Sequence, residues 1–189
     1  DDQVQFVETD PLGGYDAYSA SKACSEHVTY SYAQTVFNSK KVGVATARAG
    51  NVIGGGDFAV DRILPDIVRA LKVKSSIVLR CPSAIRPWQH VFDVVYGYLV
   101  LGQKLMESPK SFNGPFNFGP ADTQVLNVQQ LAELFIKHLG SDLDIQVEAS
   151  SIHESHYLQL NAAKAHTQLS WLPKFSLLTA VEKTAQWYK

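Results

Sequence analysis

Tyr18 and Lys22 stand four residues apart in the stretch DAYSASKACSEHVTYSYAQTVFN, Asp16 to Asn38. On an α-helix that spacing puts both side chains on one face, one above the other. A lysine ammonium close to a phenol favours the phenolate, so the tyrosine would remove a proton more readily than a free tyrosine. Such chemistry suits a sugar hydroxyl that loses its proton while its carbon loses a hydride. A Tyr/Lys pair at this spacing also sits on many ordinary solvated helix faces. The rest of the chain has to decide between the two.

The pair needs a helix, and Asp16 is placed to cap one. Ala20, Ala23 and Ser31 would allow close packing, and Val28, Tyr32, Val36 and Phe37 add bulk, so a sheet on one face and a partner on another are expected. The run KVGVATA, Lys41 to Ala47, is small and β-branched, as suits a parallel strand buried on both faces. It leads into RAGNVIGGGD, and ligands of open parallel sheets bind beyond the carboxyl ends of strands. Consecutive Gly54, Gly55 and Gly56 would let backbone lie against a ligand, or simply make a flexible turn. Asn51 is not required by a turn, which makes it the better candidate.

Helical spacing joins Ile63, Leu64, Ile67, Val68 and Leu71, with Asp66, Arg69 and Lys72 facing outward. After a strand at Ser76–Leu79 comes IRPWQHV, Ile85 to Val91. Here Arg86 could grip a phosphate as a bidentate fork and Trp88 could wall a pocket. Equally, Trp88 and His90 could be packing residues. Asp93 is read as the cap of a helix reaching Met106, Phe116–Phe118 as a strand, and Asn127 as the cap of VQQLAELFIKHLG. Strands are expected at Ile145–Val147 and Tyr157–Leu160, and helices at Ala162–Leu169 and from Ser176 to Trp187.

Length and composition bound the rest. A chain of 189 residues can bury a real core, in one large domain or two small ones. A net charge of -1 gives no basic face for nucleic acid or acidic membranes. No stretch is long and apolar enough to span a bilayer, and the cytoplasm is the expected home. Cys24 and Cys81 form no metal or redox pattern, and Cys24 is placed in the core on the apolar side of the Tyr18 helix. His153-Glu154-Ser155-His156 lacks the spacing of zinc proteases, so no metal is expected. The first residue is not methionine, and no Gly-x-Gly-x-x-Gly stands between a strand and a helix. The sequence therefore reads as a piece that begins inside a longer fold.

Taken together, the Tyr-x-x-x-Lys helix, RAGNVIGGGD, SAIRPWQHV, the HESHYLQL stretch, Asn-Phe-Gly-Pro and a late Trp-Leu-Pro resemble the extended short-chain dehydrogenase/reductase family. Within it the match is to the CDP-glucose 4,6-dehydratase branch. The resemblance covers essentially the whole chain. It implies an α/β fold: the carboxyl half of a doubly wound Rossmann-like parallel sheet with a smaller mixed α/β substrate domain. Residues 1–57 and 85–119 would belong to the NAD-binding domain, and 58–84 and 120–189 to the substrate domain.

It also implies roles. Tyr18, assisted by Lys22, would take the C4 hydroxyl proton of the hexose while hydride passes to NAD. Water would be lost across C5 and C6 and the hydride returned to C6. Lys22 would also bond the nicotinamide ribose, and Ala49, Gly50, Asn51 and Val52 would border the nicotinamide. Asn51, Asp57, Arg62, Arg86, Trp88 and His90 would form the nucleotide-sugar side, with Arg62 and Arg86 on the pyrophosphate. The family's glycine-rich NAD loop and the residues that run the elimination are not found in this chain. A CDP-glucose substrate, and a homodimer or pairing with an amino-terminal half, are expected of a portion inactive by itself. An epimerase of the same family, or a non-catalytic folded module that binds a nucleotide sugar or dimerises, are the competing readings.

Overall fold

A computed structural model describes residues 5–120, 125–148 and 157–189. The first helix, α1 (Ala17–Tyr32), begins where Asp16 accepts from the backbone N–H of Ser19. It passes into a π-helical turn over Ala33–Phe37. The next elements are strands β1 (Ala45–Ala49) and β2 (Val52–Ile53), helix α2 (Ile63–Val73), strands β3 (Ile77–Leu79) and β4 (Gln89–His90), helix α3 (Val91–Glu107) and strand β5 (Gly114–Phe118). Helix α4 (Val128–Leu139), strand β6 (Ile145–Val147), and helices α5 (Ala163–Leu169) and α6 (Leu177–Tyr188) complete the order.

Each named strand pairing is parallel. β1 pairs β5 with Ala47 opposite Phe116, β2 pairs β4 with Val52 opposite Gln89, and β3 pairs β6 with Val78 opposite Gln146. Parallel strands need crossover connections, and here helices and long loops supply them. The result is the α/β class that the chain's strand and helix alternation predicts.

Two apolar clusters hold these elements. The larger is built from α2, β3, α4 and α6 around Ile67, Leu131, Phe135 and Val181, all with essentially no exposed surface. Their spacing of three and four residues on each helix produces that stripe. The smaller joins α3, β5 and α5 around Phe116, Phe118 and Trp171. Trp171 packs edge-on to Phe118 at 5.0 Å and donates its indole N–H to the Asp93 carbonyl at 3.1 Å. Its partner α5 is tied to β5 by Lys164, whose ammonium lies 4.1 Å from the Phe116 ring centroid and donates to the Pro115 carbonyl at 2.7 Å.

β1 lies between α1 and α3. Glu26 of α1 accepts from Thr46 Oγ1 and from Arg48 Nε, both at 2.7 Å, while Ala45 on the other face joins the α3 cluster. One edge of β1 carries β5, and among the described residues no strand pairs with the other.

The structure corrects several sequence expectations. Cys24 is exposed, and no residue of α1 is buried, because the helix meets the sheet only along the Glu26 side. The strand starts at Ala45 rather than Lys41 and is half-buried rather than covered on both faces. Asp93 is not the cap of α3. His90 caps it, its Nδ1 accepting from the Phe92 N–H at 3.2 Å, and Asp93 instead turns inward to accept from the N–H groups of Lys174 and Phe175 at 2.7 and 3.1 Å. Tyr157 and Leu160 make single bridges, to Ile85 and Phe6, and not a strand. The His153 to His156 run lies outside the described residues. Among the described residues no helix is long and apolar enough to cross a membrane.

Candidate active site

Beyond the carboxyl end of β1 the chain enters β2, and the loop from Gly54 to Arg62 then swings to α2. Together with the ends of β3 and β4 these segments enclose a pocket of ≈ 270 Å³. Asn51, Val52, Asp57, Arg62, Arg86 and Trp88 of the sequence-derived set all line it. Six positions spread over 38 residues of chain converge because β2 and β4 are adjacent strands and both deliver their neighbours to one wall.

Two of the wall residues are buried and hydrogen-bonded. Trp88 is buried and donates its indole N–H to the Leu126 carbonyl at 3.2 Å. Arg86 is buried as well, with Nη1 on the Ile85 carbonyl at 2.8 Å. A guanidinium in a pocket wall is a planar fork of donors of the kind that grips a phosphate or carboxylate. Arg62, which precedes the first turn of α2, is exposed at the rim.

Ala49 and Gly50 stand at the end of β1, outside the pocket. A side chain at Gly50 would strike Pro87, with a Cβ only 2.4 Å from its Cγ, so close packing of this turn on the IRPWQHV segment requires glycine. His90 is also outside. It is buried between the rings of Phe92 and Phe175, at 5.0 and 4.9 Å, and burial lowers its pKa against a smaller opposing effect of Asp93. Its Nδ1 is an acceptor in the α3 cap, which fits the neutral imidazole.

Tyr18 and Lys22 occupy the exposed face of α1, with Tyr18 70% exposed. Lys22 Nζ lies 5.5 Å from the Tyr18 ring centroid, so the helical spacing does bring the ammonium to the phenol ring. Neither side chain lines the pocket described above.

Two residues that sequence reasoning passed over also line the pocket, Asp61 and Arg80. They form an ion pair at 3.1 Å. Arg80 immediately follows the carboxyl end of β3, the same kind of position that singled out Asn51. That signal was available. Asp61 had none, because its backbone adopts a left-handed φ of 59° inside an irregular loop.

Parallel strands, the helices that connect them and a cleft at the strands' carboxyl ends define an α/β protein with a Rossmann-like arrangement. Sequence comparison makes the class specific: residues 1–117 match the NAD dependent epimerase/dehydratase family, and the chain belongs to it. It is 39% identical over 190 aligned positions to CDP-glucose 4,6-dehydratase of Salmonella typhimurium, covering 97% of this chain and 53% of that protein. To dTDP-glucose 4,6-dehydratase of Neisseria gonorrhoeae the identity is 27%, over 97% of this chain and 53% of the relative. Thus the chain spans about half the length of the curated relatives it matches. Among solved structures, DesIV, a dTDP-glucose 4,6-dehydratase of Streptomyces venezuelae with NAD and TYD bound, superposes with a TM-score of 0.83 at 22% identity, over 99% of this chain and 55% of that one. UDP-glucose-4-epimerase of Stenotrophomonas maltophila, with NAD and formylated UDP-arabinopyranose bound, gives 0.83 at 17%, over 100% of this chain and 59% of that one. At those identities the likeness is one of fold.

Proposed function

We propose that this chain supplies the sugar-nucleotide side of an NAD-dependent 4,6-dehydratase acting on CDP-glucose, a hydro-lyase. The observation that carries this reading is the convergence of Asn51, Asp57, Arg62, Arg86 and Trp88 on one pocket, in a chain most of whose length aligns with a CDP-glucose 4,6-dehydratase. The cytidine diphosphate end would lie in that pocket with its phosphates on Arg86 and Arg62. The hexose would extend toward Ala49, Gly50 and the Tyr18 face.

Tyr18, with the Lys22 ammonium beside its ring, would accept the C4 hydroxyl proton. NAD, when bound, would supply the acceptor for the C4 hydride and the source of the hydride added at C6. Between those events the C5 proton and the C6 hydroxyl would leave as water, giving a 4-keto-5,6-ene, and hydride at C6 with a proton from solvent at C5 would complete the 4-keto-6-deoxy sugar. Residues that fit NAD are those of its nicotinamide end: Lys22 for the ribose hydroxyls, with Ala49, Gly50, Asn51 and Val52 beside the ring. The glycine-rich loop that would hold the adenosine end is not in this sequence. We assign 1–57 and 85–119 to the cofactor side and 58–84 and 120–189 to the substrate side. The edge of β1 that no strand pairs among the described residues, and the uncovered α1, favour a homodimer or pairing with an amino-terminal half. By itself, the chain is then a binding module without turnover.

Calorimetric titration of CDP-glucose into the purified chain, with Arg86→Ala beside it, tests the pocket. Saturable binding weakened about tenfold or more by the substitution is expected, since hydrogen bonds to charged groups contribute about 1.5–3 kcal/mol. No binding by the unaltered chain would sink the reading. Loss of water separates it from an epimerase, whose product keeps the mass of its substrate.

A further inference from the structure

The loop that carries Asp57, Asp61 and Arg62 into the pocket is gripped from outside it. Three successive carbonyls, those of Asp57, Phe58 and Ala59, each accept from a side chain of another element. Tyr188, in the last turn of α6, donates its hydroxyl to the Asp57 carbonyl at 2.5 Å. Arg69, on the outer face of α2, forks across the next two, with Nη1 on Phe58 at 3.0 Å and Nη2 on Ala59 at 2.9 Å. The same Nη2 is ion-paired with Asp66, one turn back on α2, which aims the fork at the loop.

Packing reinforces the grip. Trp187 packs against the glycine segment so closely that a Cβ on Gly55 would fall 2.1 Å from its Cγ. The Phe58 ring meets Trp187 and Tyr188 edge-on at 6.0 and 6.1 Å, and Tyr188 in turn meets buried Phe135 at 6.1 Å. The glycine run therefore gives the loop its freedom and the two helices remove it again. Preorganising a binding loop in this way raises affinity by cutting the ordering cost of the ligand-bound state.

We propose that Tyr188 and Arg69 are positioning residues that clasp the Gly54 to Asp61 loop and thereby set the pocket's affinity for its nucleotide sugar. Neither side chain lines the pocket. They act on the ligand only through the loop they hold, and the proposal rests on the nucleotide-sugar reading of that pocket. Tyr188→Phe keeps the ring contacts with Phe58 and Phe135 and removes only the donor. Arg69→Lys keeps the charge but cannot fork two carbonyls, and Arg69→Gln removes the charge too.

The 189-residue chain and these variants would be titrated with CDP-glucose by calorimetry, with amide hydrogen exchange followed peptide by peptide. Faster exchange across residues 54–61 in Tyr188→Phe and Arg69→Gln is expected, with β3 unchanged. Their Kd should rise about three- to tenfold, as one lost neutral or charge-assisted hydrogen bond would give, with Arg69→Lys in between. Unchanged exchange, or faster exchange with an unchanged Kd, would overturn the clasp while the pocket reading stands. A global rise in exchange would also overturn it, by showing a folding role alone. Failure of the unaltered chain to bind CDP-glucose would remove the pocket reading, and this proposal with it.

Discussion

Cys24 and Cys81 show how little a residue's type says about its place. Cys24 projects from a helix that buries nothing, whereas Cys81 is half-buried in the wall of the pocket. Thiol chemistry follows access of the reagent as well as pKa. Cys24 should therefore react with a thiol reagent promptly in the native chain, and CDP-glucose should slow the labelling of Cys81 alone. Mass spectrometry of labelled peptides checks both, and equal protection of the two cysteines would contradict the pocket. His90 gives a second prediction at this scale. Burial lowers its pKa from 6.5, and burial does the same to His166. The unfolded chain then binds more protons than the folded one in the interval below about pH 6.5, so stability falls with falling pH there and levels off below the folded pKa. Urea midpoints between pH 7.5 and pH 5 should follow that course, and His90→Asn, which keeps an acceptor for the α3 cap, should flatten it. An unchanged slope would show that other groups carry the dependence.

At the scale of elements, α4 is the case the sequence describes best. Asn127 accepts from the Gln130 N–H at 2.8 Å, and the Gln130 side chain accepts from the Asn127 N–H at 3.0 Å, a reciprocal capping box. Asn127→Ala should cost about 1 kcal/mol, measured by urea unfolding. A change below a few tenths would show that α4 is held by packing alone. Signals of this kind are local, since cap, stripe and closing Gly140 lie within one stretch of chain, and they were legible. The α3 cap was not, although Asp93 is a good capping type. Asp93 is claimed by Lys174 and Phe175, 81 and 82 residues away, and a distant claim leaves no mark on local pattern. The strand starting at Ala45 was shifted for a related reason. Its first residue is set by where Gly114 of β5 begins to pair, not by the β-branched residues before it.

The whole molecule carries apolar surface it does not cover. Val28, Tyr30 and Tyr32 of α1 and Phe92, Leu99 and Met106 of α3 are exposed, and the edge of β1 between these helices is unpaired among the described residues. Exposed apolar side chains on both helices, beside an open strand edge, favour association with another chain. Sedimentation velocity of the purified chain should therefore show self-association that grows with concentration. A monomer across the whole accessible range would contradict this. The sequence by itself determined the α/β class, the helices and the family, because hydrophobic period, caps and the order of motifs are properties of neighbouring residues. It also brought out Tyr18, Lys22, Asn51, Asp57, Arg62, Arg86 and Trp88 one by one. Only the tertiary structure decided which of them meet, that His90 serves a helix cap outside the pocket, and that Asp61, Arg80, Arg69 and Tyr188 belong to the pocket's surroundings. Those outcomes depend on strand adjacency and on contacts across up to 131 residues of chain, where the free energy lies in packing that no local pattern records.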